Sequence, residues 1–367
     1  MEYEYIKKLV AKYDTPTLFL SLDTIQANYR RLKAALPGVT LFYAVKANSE
    51  TALIEALNQE GASFDVCTNG EIDIVKACGV SPDRCIHTHP IKKPAEIAYA
   101  ADFGIQRFVV DNASELEKFV PLKDRIELIV RISVQNPASP INLSYKFGVT
   151  PEKANALIDA AQASGLSVKG LSFHAGSQNE DNLKFIEALE YCREICRTAA
   201  LRGQQIETID IGGGFPMTYV QQAARIDLFC QPITAHLDRY FSNYQIIAEP
   251  GRAICADAMF LVAKVVGKAQ RNRIWWYYID DGKYNTFSGM VYDHAIYPFQ
   301  TFGDGARLPS VIAGPTCDSF DVLYENVSLP LLEIGDLIVF QVMGAYTSAS
   351  ATTFNSYEKT EIVILNR

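Results

Sequence analysis

The chain lacks any apolar run approaching the roughly 18 residues that a membrane-crossing helix needs, so no transmembrane segment is predicted. It lacks an excess of positive charge: 34 Lys and Arg stand against 42 Asp and Glu, a formal net charge of −8. A nucleic-acid partner, which requires a basic face, is therefore not expected. The acidic balance suits a small cationic ligand, and it equally serves plain solubility. Internal repeats, low-complexity tracts and flexible linkers are missing as well. The opening MEYEYIKKLVAKYDTP mixes charge with aromatics and has none of the apolar core of a signal peptide. Histidine is scarce, with five residues too scattered to complete a metal site. The eight cysteines spread over 367 residues do not make a disulfide framework. Cys192 and Cys196 lie one helical turn apart and are expected to share the covered face of a helix. A reduced, cytoplasmic setting without metal follows. After the last predicted strand, TEIVILNR, no tail-borne degradation signal is expected.

Apolar residues are not scarce. They form 49% of the chain against 21% charged, enough buried surface to offset chain entropy and exclude disorder as the main state. The length suggests about two domains. Short apolar runs recur at Leu41–Val45, Ser63–Cys67, Arg84–Thr88, Arg107–Val110, Glu127–Ile132, Val168–His174, Glu207–Gly212 and Tyr244–Glu249. Between them lie segments such as SELEKFVPL and EKANALIDAAQAS, whose apolar residues recur at three- and four-residue spacing. Eight strands alternating with helices is the count of a (β/α)8 TIM barrel; a doubly wound sheet has the same periodicity. After Glu249 the pattern changes to FLVAKVVGKA, RIWWYYID, SVIAG, DLIVFQV and TEIVILN, separated by turn signals, which predicts an antiparallel β domain. TPTLFLSLD near the start reads as one more strand of that domain. The predicted division is a barrel over 22–250 and a β domain built from 1–21 and 251–367, an α/β protein overall.

Residues at the C-terminal ends of barrel strands line the active mouth. Here those ends carry Lys46, Asp65, Arg131, His174, the run Gly212-Gly213-Gly214 and Glu249. Three glycines after a strand bring backbone N–H groups close to an anion such as phosphate, and they also suit a tight turn. A lysine in apolar surroundings sheds its proton readily and can attack a carbonyl carbon. Phosphate cradle and lysine together suggest pyridoxal phosphate, while a cofactor-free aldolase that uses its lysine on the substrate is the rival reading.

FYAVKAN, SFHAGSQ, DIGGGFP, AEPGR, YDHA, GPTCDSFD and GAYTSASATTFNSY, in that order from about residue 15 to the end, resemble the pyridoxal-phosphate-dependent ornithine, lysine and diaminopimelate decarboxylases of alanine-racemase-like fold. The nearest branch is that of the eukaryotic-type ornithine decarboxylases. The resemblance implies a barrel with a C-terminal β domain, working as a homodimer with two shared active sites. It implies that Lys46 attaches the cofactor, that His174 stacks on the pyridine ring and that Glu249 pairs with the pyridine nitrogen. Ser177, the Gly212, Gly213 and Gly214 amides, Arg252 and Tyr346 would hold the phosphate. Asp65 falls where the family has a polar residue beside the cofactor, and Arg131 would help organise the site.

The same resemblance implies that Cys317, supplied by the partner subunit, returns a proton to Cα after CO2 leaves. Asp318 and Asp293, with Tyr292 beside it, would bind the distal amine of a cationic amino acid. Aspartate at 293 resembles ornithine rather than arginine decarboxylases, and Cys317-Asp318 differs from the Cys-Glu pattern of the diaminopimelate enzymes. L-ornithine yielding putrescine is the first expectation, and L-lysine yielding cadaverine is close behind. Two departures from the family pattern, Ser319-Phe320 for the usual Gly-Leu and Gln178 for glycine, leave room for a larger amine-bearing substrate of a specialised pathway. A non-catalytic regulatory relative is the reading from another class; Lys46, His174, Glu249, Arg252, Cys317 and Tyr346 all argue for chemistry. Alanine racemases put arginine, not glutamate, at the pyridine nitrogen.

Overall fold

The computed structural model describes residues 1–136 and 145–365. It divides into two compact units, one of residues 26–217 and 223–254, the other of residues 1–25, 218–222 and 255–367. The first strand, β1 (Thr17–Leu20), belongs to the second unit. The next eight build the first: β2 (Val39–Ala44), β3 (Ser63–Val66), β4 (Cys85–His87), β5 (Arg107–Val110), β6 (Glu127–Arg131), β7 (Val168–Ser172), β8 (Thr208–Asp210) and β9 (Gln245–Ala248). Each pairs in parallel with the next, and β9 pairs with β2 to close the ring. That closing pair, Val39 against Ile246, decides for the barrel over the doubly wound sheet.

The strands close because their inward files are apolar at mid-height. Phe42, Ile86, Val109, Ile129 and Ile247 form one buried cluster, the filled interior that such barrels require. The outward file is covered by amphipathic helices. In Pro151–Ala163, for example, Ala154, Leu157, Ile158 and Ala161 are buried, at offsets of three, four and seven residues, and a proline opens the first turn. Cys192 and Cys196 are both buried on the helix Leu183–Ala200, and all eight cysteines are free thiols.

The second unit holds an eight-stranded sheet. Its main path runs β12 (Phe299–Thr301), β15 (Leu337–Phe340), β10 (Met259–Arg271), β11 (Ile274–Ile279), β13 (Leu308–Ala313) and β14 (Val322–Leu329). β1 pairs with β10 and also with β16 (Glu361–Ile364). The opening TPTLFL run thus joins the C-terminal strands. Its core gathers Ile6, Phe19, Val262, Leu337, Val339 and Val363. β10 and β11 turn through Asn272 and Arg273, both at positive φ, as a two-residue hairpin turn requires. Against the antiparallel expectation the sheet is mixed: β1–β16 and β11–β13 run parallel. Hairpin turns force antiparallel neighbours, whereas the connection 280–307 is long enough to carry the chain back to the same end.

Candidate active site

Side chains alternate across a strand, so the barrel register selects which residues share the inward file. Phe42 pairs with Ser63, and Asp65 with Ile86. Arg131 pairs with Ser172, Ser172 with Asp210, and Asp210 with Ile247. Stepping two residues beyond the apolar layer therefore reaches Thr88, Arg131, His174, Gly212 and Glu249, with Lys46 on the 3-10 turn Val45–Ala47 that follows β2. A filled apolar floor thus carries a polar layer at the strands' C-terminal ends.

Lys46 does not lie in the purely apolar setting that its strand suggested. Its Nζ donates to Asp65 Oδ2 at 2.7 Å, and the Asp65 side chain is fully buried while that of Lys46 remains 38% exposed. The other Asp65 oxygen, Oδ1, accepts from Thr88 Oγ1 at 2.5 Å. Both ends of the carboxylate are therefore fixed, which leaves it one orientation. Cys67 Sγ lies 4.0 Å from Lys46 Nζ. Its backbone N–H donates to Glu71 Oε2 at 2.6 Å, and Thr68 caps the helix Asn69–Ala77 by accepting from the Glu71 N–H. Burial pushes the Cys67 thiol up to about 12 and the Glu71 carboxyl up to about 7.

Across the mouth, the glycine run is held by steric necessity. A Cβ at Gly212 would stand 2.1 Å from the Phe173 carbonyl, at Gly213 2.5 Å from that of Glu249, and at Gly214 2.0 Å from that of Gly176. Only glycine lets this loop pass so close to its neighbours, and Gly212 and Gly214 also take positive φ. Arg252, 6% exposed, donates through Nη2 to Ser177 Oγ at 3.1 Å. A guanidinium, a hydroxyl and a glycine turn so arranged fit a phosphate.

His174 lies deep in the mouth with part of its surface accessible. Burial, followed by the charges of Arg131 and Lys46, holds its imidazole well below the usual range, so it is neutral. Its Nδ1 accepts from the Gly176 N–H at 3.1 Å, which leaves the ring proton on Nε2. Asp210, fully buried, shares a hydrogen bond with Glu249 and accepts from the Gly212 N–H at 2.9 Å. Burial first, and then the Glu249 charge, raises Asp210 well above the carboxylate range. Burial and the Asp65 charge raise Glu249 too, but Lys46 and Arg131 pull it back. The negative charge of the pair therefore rests on Glu249, where it can face a ring nitrogen. A lysine amine, a neutral imidazole, a buried anion and a phosphate cradle in one mouth fit pyridoxal phosphate.

The remaining predicted residues belong to the second unit. Cys317 is exposed, and its N–H donates to Asn355 Oδ1 at 3.1 Å. Asp318 accepts from the Phe320 N–H at 3.0 Å and from the Tyr284 hydroxyl. These two bonds hold its carboxyl below the usual range, while the same contact pushes Tyr284 up to about 12. Tyr284 stacks on Phe354 with ring centroids 4.2 Å apart. Asp293 follows the short helix Gly289–Tyr292 and donates its N–H to the Gly289 carbonyl. Tyr292 is 63% exposed, and Tyr346 takes a positive φ of 55°.

Sequence reading missed several members. Thr88 carried a signal, since it lies two residues beyond inward-facing Ile86. Glu71, at the start of the helix after Cys67, also carried one. Tyr284 and Asp321 carried none, because their roles depend on folding. Asp321 accepts from the backbone of Lys283 and Thr316 and from the Thr316 hydroxyl. It lies so near Gly282 and Gly314 that a Cβ there would meet its carboxylate at 2.5 and 2.4 Å. It shapes the loop on which Cys317 and Asp318 stand.

Residues 22–256 match the family model described as the pyridoxal-binding domain of the pyridoxal-dependent decarboxylases. The chain is 38% identical over 354 residues to a lysine/ornithine decarboxylase of Selenomonas ruminantium, covering 96% of this chain and 90% of that protein. Among solved structures it resembles a lysine/ornithine decarboxylase of Vibrio vulnificus complexed with cadaverine, with a TM-score of 0.95 and 45% identity over 100% of this chain and 99% of the other. The same kind of enzyme complexed with putrescine gives 0.94 and 46%, over 99% and 98%. Among the described residues no helix is long and apolar enough to cross a membrane. With its family domain matched over most of the barrel and its relatives matched over nearly their full length, the chain belongs to the pyridoxal-dependent decarboxylases and is an amino-acid decarboxylase that uses pyridoxal phosphate.

Proposed function

We propose that the substrate is a basic L-amino acid, L-ornithine first and L-lysine second, converted to putrescine or cadaverine and CO2 by a cytoplasmic homodimer with shared sites. The observation that carries this reading is the likeness, over essentially the whole chain, to an enzyme solved with each of the two diamines. It agrees with an aspartate at 318 that is held ionised by the Phe320 N–H and the Tyr284 hydroxyl.

When bound, pyridoxal phosphate supplies the electron sink for the pair left behind by the departing carboxylate. The chain's own residues do the rest. Lys46 Nζ would be the attachment point, and Asp65, clamped by Thr88, orients that amine. Glu249 keeps a proton on the ring nitrogen, and Asp210 beside it holds the neighbouring proton. His174, neutral, would lie against the ring without adding a charge that competes for the electrons. Ser177, Arg252, Tyr346 and the Gly212–Gly214 amides bind the phosphate, and Arg131 adds a cation near Glu249. Asp318 and Asp293, with Tyr292 at the rim, bind the distal ammonium. Carboxylates left unpaired by a neutral side chain would disfavour it. Cys317 of the second copy protonates Cα.

The test is CO2 release from ornithine, lysine, arginine, diaminobutyrate and diaminopimelate under identical conditions. Release from ornithine and lysine above the other three is expected. Preference for arginine or diaminopimelate, or no release from any of the five, would overturn the substrate assignment.

A further inference from the structure

Two separate loops contribute to the phosphate cradle, 174–179 after β7 and 212–217 after β8. Neither is part of a helix or strand. One residue spans them with its side chain. Gln178 Nε2 donates to the Met217 carbonyl at 2.8 Å, and Gln178 Oε1 accepts from the Met217 N–H at 2.8 Å. A side-chain amide thereby pairs with a peptide group as one strand pairs with another, fixing distance and orientation together. Next to it the Asn179 N–H donates to the Gly214 carbonyl at 2.9 Å. Buried Asn136 supports the same loop, donating to the Ala175 carbonyl at 2.7 Å and to Asn179 Oδ1 at 3.2 Å.

Gln178 has this position at a conformational cost. Its φ is +51°, in the left-handed region where a side chain is strained and glycine is not. A position that served only as a turn would favour glycine. Holding a strained glutamine there makes sense if the side chain does something glycine cannot, and what it does is tie Ser177 and the Gly212–Gly214 turn to one geometry.

We propose that Gln178 is a positioning residue for the cofactor phosphate, clamping the Ser177 loop to the glycine loop so that their donors are already aligned before the phosphate arrives. The inference rests on the reading that Ser177, Arg252 and the glycine amides hold the phosphate. Loops aligned in advance lose less freedom on binding, so the clamp acts on cofactor affinity rather than on the fold.

The experiment titrates cofactor-free protein with pyridoxal phosphate, followed by the yellow absorbance, and in parallel measures melting of the cofactor-free protein. For Gln178→Gly we expect about tenfold weaker binding, the loss of two neutral hydrogen bonds. Its melting temperature should be unchanged or raised, because glycine relieves the strain. Gln178→Ala keeps the strain and loses the clamp, so its binding should weaken likewise while its melting temperature stays near that of wild type. Pyridoxal, which lacks the phosphate, should bind wild type and Gln178→Gly alike. Arg252→Ala serves as the control for the cradle itself. Should Gln178→Gly bind pyridoxal phosphate as tightly as wild type while Arg252→Ala binds it weakly, the clamp is wrong. Equal weakening toward pyridoxal and pyridoxal phosphate also overturns it. If Arg252→Ala binds as tightly as wild type, the phosphate reading fails instead.

Discussion

The barrel mouth and the Cys317–Asp318 loop are two solutions to holding reactive side chains. In the mouth, each group is fixed by a second group behind it: Lys46 by Asp65, Asp65 by Thr88, and Glu249 by Asp210. Burial does most of the electrostatic work there, driving Glu71 and Asp210 up and His174 down. In the loop the Asp318 side chain is held by the Phe320 N–H and the Tyr284 hydroxyl, the Cys317 backbone N–H donates to Asn355 Oδ1, Cys317 is exposed, and Phe320 is 51% exposed. Asp318 is shifted downward by hydrogen bonds rather than upward by burial. The mouth holds its charged groups by burial and by pairing them with one another. The loop presents its thiol, its carboxylate and an apolar ring to whatever covers it, which in the proposed dimer is the second copy.

The sharpest way to break this contrast is to disable each region in turn. Lys46→Ala should abolish turnover and the yellow absorbance. Cys317→Ala should be yellow before substrate is added and lose most amine formation, releasing aldehyde and leaving the amine nitrogen on the cofactor as colourless pyridoxamine phosphate, because the acid for Cα is gone. Mixed and allowed to exchange subunits, the two inactive proteins should recover about a quarter of wild-type activity, since a head-to-tail pair then has one intact site. No recovery on mixing would place Lys46 and Cys317 in the same copy's site.

A smaller effect is expected at the loop carboxylate. Asp318→Asn should raise KM for ornithine and lysine about ten- to hundredfold, the usual range for a lost charge-assisted hydrogen bond, with cofactor absorbance intact. An unchanged KM would remove Asp318 from substrate recognition.

The smallest effect probes the burial that distinguishes the mouth. Glu71 holds its proton up to about pH 7 in the fold, against an ordinary value of 4.5. Its stabilising contribution is complete below pH 4.5 and is lost as pH rises through 7. Between pH 4.5 and 8, cofactor-free wild type should lose on the order of 2 kcal/mol more stability than Glu71→Gln, measured by urea unfolding. Parallel pH profiles for the two proteins would mean that Glu71 is solvated.

Strand-level patterns were readable in advance because they are local. The eight apolar runs are properties of neighbouring residues, and each became a barrel strand. The sheet direction in the second unit was less legible: hairpin signals predict antiparallel pairs, while β1–β16 and β11–β13 depend on distant segments meeting. Gln178 was visible only as a departure from a family pattern, since its partner Met217 lies 39 residues away.

Residue type and order, then, were enough for the barrel count, the residues at its strand ends and the family. They could not say that Lys46 would meet a buried carboxylate rather than an apolar wall, or that Asp210 would stand beside Glu249 with a proton between them. Nor could they say that Tyr284 and Asp321 would shape the loop of Cys317 and Asp318. Those facts come from closure and burial. A closed ring sets strands far apart in sequence side by side, and removing their side chains from water then decides which groups keep their charge.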